Sequence, residues 1–329
     1  MGINENKRKF LLLFLYFEKL VFPFFVLTYI YIVYNRLKDA YKVRDISKLT
    51  HDRRVFMKIN IGICQMNVLD DKRKNLRKAE EMIREAANNS RIIALPEMFN
   101  CPYENKAFPE YAEKYPGETT QMLSSLAKEL DIYLFGGSIP ELDNGSIYNT
   151  SYIFNRKGDL IGKHRKIHLF DIDIEDGIRF KESDTLGKGD RITVVDTEFG
   201  PIGVAICYDM RFPELIRLMV MKGARIIIVP AAFNMTTGPA HWDLTLRARA
   251  LDNQVYYAAV SPARNIKAAY HAYGHSALVS PWGEILNQAG EKETILYGEI
   301  DMNYLEKIRT QLPLLVHRRT DLYEINEKR

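Results

Sequence analysis

The body of the chain alternates two rhythms of apolar and polar positions. Isoleucines at every second place in Lys58-Ile-Asn-Ile-Gly-Ile-Cys64 predict a strand, and Leu76, Ala79, Met82, Ile83 and Ala86 then share one helical face. The compact run Ile92 to Leu95 predicts a buried strand that leads straight into Pro96-Glu97. A helix through Met122, Leu123, Leu126 and Leu130, a strand at Ile132 to Phe135 and a hairpin turning at Asn155 to Gly158 come next. Strands are predicted again at Ile202 to Ile206, Arg225 to Val229 and Val255 to Val260, alternating with helices at Pro213 to Met221 and Trp242 to Leu251. The last third adds strands around Ala277 to Ser280 and Thr294 to Ile300, joined through Pro281-Trp282-Gly283. This mixed order implies a layered α/β fold with some antiparallel pairing.

A different pattern precedes the body. After Lys7-Arg8-Lys9, residues 10–34 are nearly all apolar or aromatic, interrupted by Glu18-Lys19 and Pro23. The unbroken piece from Leu20 to Tyr34 is shorter than the ~20 residues a spanning helix needs, although the whole stretch would reach across. Membrane attachment through residues 10–34 and organelle targeting are both open readings. A secretory signal has the basic start and apolar centre, but no small-x-small cleavage site follows. From Ala40 to Arg54 the chain turns charged and reads as a linker. The expected division is therefore a hydrophobic segment with its linker over 1–56 and a catalytic-type domain over 57–329. A cytoplasmic-type body, a membrane anchor and an organelle address all stay open as locations.

Composition narrows the classes. The chain has 329 residues, nearly half of them apolar, which suffices for one large core. A formal charge of only +4, with no basic block in the central region, gives nucleic acid no electrostatic footprint. Cys64, Cys101 and Cys207 are widely spaced and form no CxxC pair, so neither a disulfide framework nor a structural zinc site is expected.

The candidate chemistry sits at strand ends. Cys207 follows the apolar run Ile202-Gly-Val-Ala-Ile206 and precedes a helix starting near Phe212, so its thiol should emerge at a carboxyl edge, where open α/β folds place their sites. A helix N-terminus and a nearby cation would both favour thiolate. Taken alone, a cysteine with apolar flanks is more often inert core. Glu97 follows its own apolar strand, where a carboxylate either points into a cleft or caps a loop. Lys166 lies in Lys163-His-Arg-Lys-Ile-His-Leu-Phe170, a basic cluster that could equally be a solvated edge.

Together the blocks Leu95-Pro-Glu97, Arg165-Lys-Ile-His-Leu-Phe170 and Gly203-Val-Ala-Ile-Cys-Tyr-Asp-Met-Arg-Phe-Pro-Glu214 resemble the three signature blocks of the nitrilase superfamily of carbon–nitrogen hydrolases, in order and at comparable spacing. The resemblance spans roughly 57–324. Segments such as Phe99-Asn-Cys-Pro-Tyr103, His168-Leu-Phe-Asp-Ile-Asp173 and Phe233-Asn-Met-Thr-Thr-Gly-Pro-Ala-His-Trp242 are similar to its omega-amidase branch, which acts on 2-oxoglutaramate and 2-oxosuccinamate. The hydrophobic N-terminus and Glu175-Asp176-Gly177 depart from that branch.

The resemblance implies a four-layer α-β-β-α sandwich of the nitrilase type behind an N-terminal hydrophobic helical extension. It implies a catalytic set of Cys207 as nucleophile, Glu97 as general base, Lys166 as oxyanion stabiliser with the backbone N–H of Tyr208, and Glu182 as a second glutamate orienting lysine or water. Arg211 would bind the distal carboxylate, Phe233 and Thr237 would complete the pocket, and Tyr103 would lie on a loop covering it. A small carboxylate-bearing amide and water are the implied partners, with a homodimer as the assembly and neither metal nor organic cofactor required. Arg211 could instead pair with Asp209 or Glu214 on its own helix.

His168, His241 and His275 are the rival thiol partners, since many thiol hydrolases use a Cys–His pair; each reads more simply as structural. Cys64 reads as core, and Cys101 as lining the site without reacting. Sequons at Asn88, Asn144, Asn149 and Asn234 matter only in a secretory lumen. Two rival functions remain: a sibling amidase or nitrilase with a carbamoyl, nitrile or peptide-derived substrate, and a catalytically silent membrane-tethered scaffold.

Overall fold

The computed structural model describes residues 58–175 and 178–328. The apolar stretch at residues 10–34 and the expected segment 1–56 lie outside the described residues, as do Asp176 and Gly177. Among the described residues no helix is long and apolar enough to cross a membrane.

Along the chain run β1 (Lys58–Gln65), α1 (Lys72–Ala87), β2 (Ile92–Ala94), α2 (Phe108–Tyr111), α3 (Glu118–Glu129), β3 (Tyr133–Phe135), β4 (Ile139–Asp143), β5 (Ser146–Phe154) and β6 (Leu160–Arg165). Then come β7 (Asp171–Asp173), β8 (Arg179–Lys181), β9 (Leu186–Gly187), β10 (Thr193–Thr197), β11 (Gly200–Val204), α4 (Pro213–Met221), β12 (Ile226–Pro230) and α5 (Gly238–Asn253). The chain closes with β13 (Tyr256–Val260), β14 (Ala277–Val279), β15 (Ile285–Gln288), β16 (Thr294–Asp301) and α6 (Met302–Gln311).

Two sheets result. The first is ordered β16-β1-β2-β3-β5-β4, with β6 and β9 also paired to β5; the second is β10-β11-β12-β13-β14-β15. Strands β1, β2 and β3 run parallel, as do β11, β12 and β13, and the flanking strands are antiparallel. Parallel strands are covered on both faces, so they read as unbroken apolar runs rather than alternations. Ile226, Ile227 and Ile228 are each fully buried in this way. Each such side chain contributes about 1.5–3 kcal/mol relative to exposure.

Alternate residues of the strands serve different layers. Ile61, Ile63, Ile92, Ala94, Ile202, Val204, Ile226 and Ile228 form one cluster between the sheets. The opposite side of the first sheet, with Ile93, Leu95 and Leu134, packs on Leu76, Ala79, Ile83 and Leu123 of α1 and α3. That of the second, with Ile227, Val229 and Tyr257, packs on Ile216, Met219, Trp242 and Leu246 of α4 and α5. The architecture is thus the expected α-β-β-α sandwich. Local signals agree with it: Asp71 caps α1 by accepting from the Lys74 backbone N–H at 3.0 Å, and Pro213 opens α4 where its missing N–H is harmless.

Candidate active site

Three strand ends meet where the sheets face each other. Glu97 lies three residues past β2, in a turn packed against Gly137, whose φ of +55° and contact with the Pro96 carbonyl leave no room for a Cβ. Lys166 directly follows β6 and is anchored by its backbone N–H donating to the Asn149 carbonyl at 2.8 Å. Cys207 starts a single 3-10 turn, Cys207–Arg211, three residues beyond β11. Its φ is +45°, a left-handed conformation that costs a non-glycine residue about 1–3 kcal/mol and recurs at functional sites.

Lys166 is fully buried, and its Nζ donates to Glu97 Oε1 and to Glu182 Oε1, both at 2.9 Å. Glu182 is fully buried as well; its Oε2 accepts from the Phe170 backbone N–H at 2.7 Å and its Oε1 from the Tyr103 hydroxyl at 2.6 Å. Asn149 Nδ2 donates to Glu97 Oε1 at 2.8 Å. These partners all use one oxygen of Glu97. The other, Oε2, is buried with no hydrogen-bond partner among the described residues, and the charge of this carboxylate acts on the Cys207 thiol.

Burial sets the proton affinities. Desolvation raises the Glu97 carboxyl above the usual carboxylate range, opposed by Lys166 and reinforced by Glu182. Desolvation would lower Lys166, yet the Glu182 and Glu97 carboxylates outweigh it and hold the ammonium charged. The Cys207 thiol is pushed well above its ordinary value, first by burial and then by Glu97, against Lys166 and a hydrogen bond from the Ala232 backbone N–H. The expected bias towards a standing thiolate is therefore corrected. The helix near Cys207 is only a short turn, and its effect is smaller than desolvation beside an anion. Such a pair suits a thiol that gives up its proton at the moment of attack.

Asp209 was not singled out as a site residue from sequence. It is fully buried two residues after Cys207, with its pKa depressed below the carboxylate range by hydrogen bonds from His164 and His168 that overcome desolvation. Its oxygens meet His164 Nε2 at 3.1 Å and His168 Nδ1 at 2.8 Å, and accept from the backbone N–H groups of His168 at 2.8 Å and Ile206 at 3.0 Å. One carboxylate thereby ties the turn carrying Cys207 on the second sheet to the segment carrying Lys166 on the first. Asp209 and both histidines stand inside the quoted segments, but nothing in the sequence links the two segments. Asn149, noted only as a sequon, is likewise fully buried, and Asn234 is buried too.

Arg211 is half-buried, and among the described residues it has no carboxylate within 4.0 Å, so neither Asp209 nor Glu214 pairs with it. Its guanidinium lies 4.7 Å from the centre of the Phe233 ring and 5.9 Å from that of Tyr208, and Nη1 meets His241 Nδ1 at 3.2 Å. Burial lowers its pKa from the ordinary arginine value. Phe233 and Thr237 are buried on the loop before α5, where Asn234 Oδ1 accepts from the Thr237 N–H at 2.9 Å. Tyr103 is buried with its hydroxyl on Glu182, and its ring meets Phe108, Phe180 and Tyr270 at 5.7, 5.4 and 4.7 Å. It belongs to the carboxylate cluster as much as to a covering loop.

The rival histidines are engaged elsewhere: His168 with Asp209 and stacked on Phe212 at 3.6 Å, His241 with Arg211, and His275 with the Tyr273 carbonyl at 2.9 Å. Among the described residues no group of His, Cys, Asp and Glu side chains is arranged to hold a metal ion.

A cysteine on a left-handed turn thus lies beside a buried glutamate and lysine, between two sheets flanked by helices. The chain belongs to the carbon–nitrogen hydrolase family, whose family model matches residues 60–310. It is 55% identical to omega-amidase NIT2-A of Xenopus laevis over 273 residues, covering 83% of this chain and 99% of that one. It is 51% identical to omega-amidase NIT2 of Homo sapiens over 270 residues, covering 82% and 98%. Among solved structures it is similar to Saccharomyces cerevisiae Nit3, a member of branch 10 of the nitrilase superfamily. That likeness has a TM-score of 0.75 and 45% identity over 82% of this chain and 99% of that one.

Proposed function

We propose that this chain is an omega-amidase that hydrolyses the terminal amide of a short carboxylate-bearing substrate such as 2-oxoglutaramate or 2-oxosuccinamate, releasing ammonia and the dicarboxylate. Cys207 attacks the amide carbon while Glu97 takes the thiol proton and passes it to the departing nitrogen. The oxyanion is held by the Lys166 ammonium and the Tyr208 backbone N–H, a donor of this kind being worth about 3 kcal/mol of barrier. Glu182, fixed by Phe170 and Tyr103, holds Lys166 in place and charged. Glu97 then activates water against the thioester, and the thiol is restored.

The observation that carries the substrate reading is Arg211. A half-buried guanidinium over an aromatic face, four residues from the nucleophile and without a carboxylate of its own, suits a planar anionic group on the substrate. Arg211→Met is expected to raise KM for 2-oxoglutaramate about 10- to 100-fold, the loss of a charged hydrogen bond worth about 1.5–3 kcal/mol, with neutral short amides little affected. Equal effects on acidic and neutral amides would sink the carboxylate role and favour a sibling amidase. No ammonia from any amide would favour the scaffold.

The family's two-fold association also supports a homodimer. Leu244, Met221 and Leu251 expose apolar surface along the outer helices α4 and α5, with Leu244 70% accessible. Sedimentation at micromolar concentration is expected to give twice the chain mass; a monomer there removes this proposal.

A further inference from the structure

Expelling an amine from a carbonyl carbon needs free space in one direction, and the surrounding groups determine which. With Cys207 Sγ bonded to that carbon, oxygen is directed to Lys166 and the Tyr208 N–H, and the acyl chain to Arg211, Phe233 and Thr237. Nitrogen is directed to Glu97, the group that hands it a proton. This assignment rests on the omega-amidase reading above.

On the Glu97 side lies a cavity of about 190 Å³. The buried Glu97, Met98, Ala232 and Tyr103 line it, together with the exposed Asp70 and Lys267. Neither Cys207 nor any of the three acyl-side residues contributes to it. Yet it starts at Glu97 itself, the group that hands nitrogen its proton, and the Ala232 carbonyl beside it accepts from the Tyr270 hydroxyl at 2.6 Å. Ala263, Ala268, Ala269 and Ala272 of the segment after β13 line it with methyl groups where larger side chains would fill it. The space is more than about ten times what one water-sized molecule needs. Ammonia, about the size of water, does not account for it.

We propose that this cavity is a leaving-amine subsite, so that the enzyme cleaves secondary amides whose nitrogen carries a small apolar substituent, methyl to propyl, as well as primary amides. The C–S bond forms as the C–N bond breaks, the thiol proton travels through Glu97 to nitrogen, and the alkylamine leaves by the cavity. Water then reaches Glu97, for which a space of single-molecule size suffices, so a partly filled cavity still admits it. Its oxygen bonds to the acyl carbon as the C–S bond breaks, one of its protons passes through Glu97 to sulfur, and the carboxylate product departs.

The test uses the full chain with succinamate, N-methylsuccinamate and N-propylsuccinamate, beside Ala268→Phe and, on an exposed lining position, Ala269→Phe. The N-propyl amide is expected to be hydrolysed with kcat/KM within about tenfold of the primary amide, and the phenylalanine variants to lower that value more than about tenfold while sparing succinamate. Succinamate turnover with no turnover of either N-alkyl amide overturns the subsite and leaves the omega-amidase reading intact. N-propyl turnover that neither phenylalanine variant lowers also overturns it. No turnover of succinamate or 2-oxoglutaramate removes the omega-amidase reading and the subsite with it.

Discussion

Cys207→Ala is expected to lower ammonia release by about 10⁴-fold or more, because removing a nucleophile that works as a unit with its base disables the whole set. No second thiol can substitute. Cys64 and Cys101 are both buried, and burial raises both thiols above their ordinary value. The side chain is small and its surroundings apolar on one side, so the urea midpoint should stay close to that of the parent. Ammonia release from 2-oxoglutaramate and urea denaturation, measured on the same preparations, separate lost chemistry from lost folding. Activity retained within about a few fold in a folded Cys207→Ala protein would end the thioester mechanism.

The second large effect concerns Glu182. Its negative charge raises both the Glu97 carboxyl and the Lys166 ammonium. Neutralising it in Glu182→Gln should move the acidic limb of kcat/KM to lower pH, since Glu97 then ionises more easily beside Lys166 alone. The basic limb should move down too, because Lys166 loses a carboxylate that kept it protonated. The amide must still accept from Phe170, which turns its NH2 towards Lys166 Nζ, donor against donor. A fall in kcat of about 10²-fold is therefore expected, similar to the loss of one oxyanion donor. The acidic limb of the pH profile decides, since in the parent Lys166 is held charged beyond the ordinary lysine range of about 10.4 and its limb lies above it. An acidic limb that stays in place or rises would refute the assigned coupling.

Much of this was legible because the chemistry follows apolar runs. The strands before Glu97 and Cys207 are parallel, buried on both faces, and hence continuous in sequence, so their carboxyl ends could be located. Lys166 was less clear, since three cations crowd its segment. The structure separates them by partner: Lys163 and Arg165 pair with Glu141 at 2.9 and 2.7 Å, while Lys166 turns inward to Glu97 and Glu182. The short strands β7, β8 and β15 gave little signal because most of their side chains are partly exposed. Asp209, Asn149 and Tyr270 escaped for another reason. Their partners lie 38 to 52 residues away, at separations set by which strand ends meet and not by any local period.

The position of Asp209 has a mechanical consequence. In the proposed mechanism base and nucleophile, Glu97 and Cys207, follow strands of different sheets, so their separation is set by how the two halves of the sandwich are aligned. A carboxylate bonded to both halves acts as a rivet beside the reaction centre, where shear would do the most harm. On that mechanism, activity is expected to gauge sandwich alignment, falling with a small slip of one sheet over the other before either sheet comes apart.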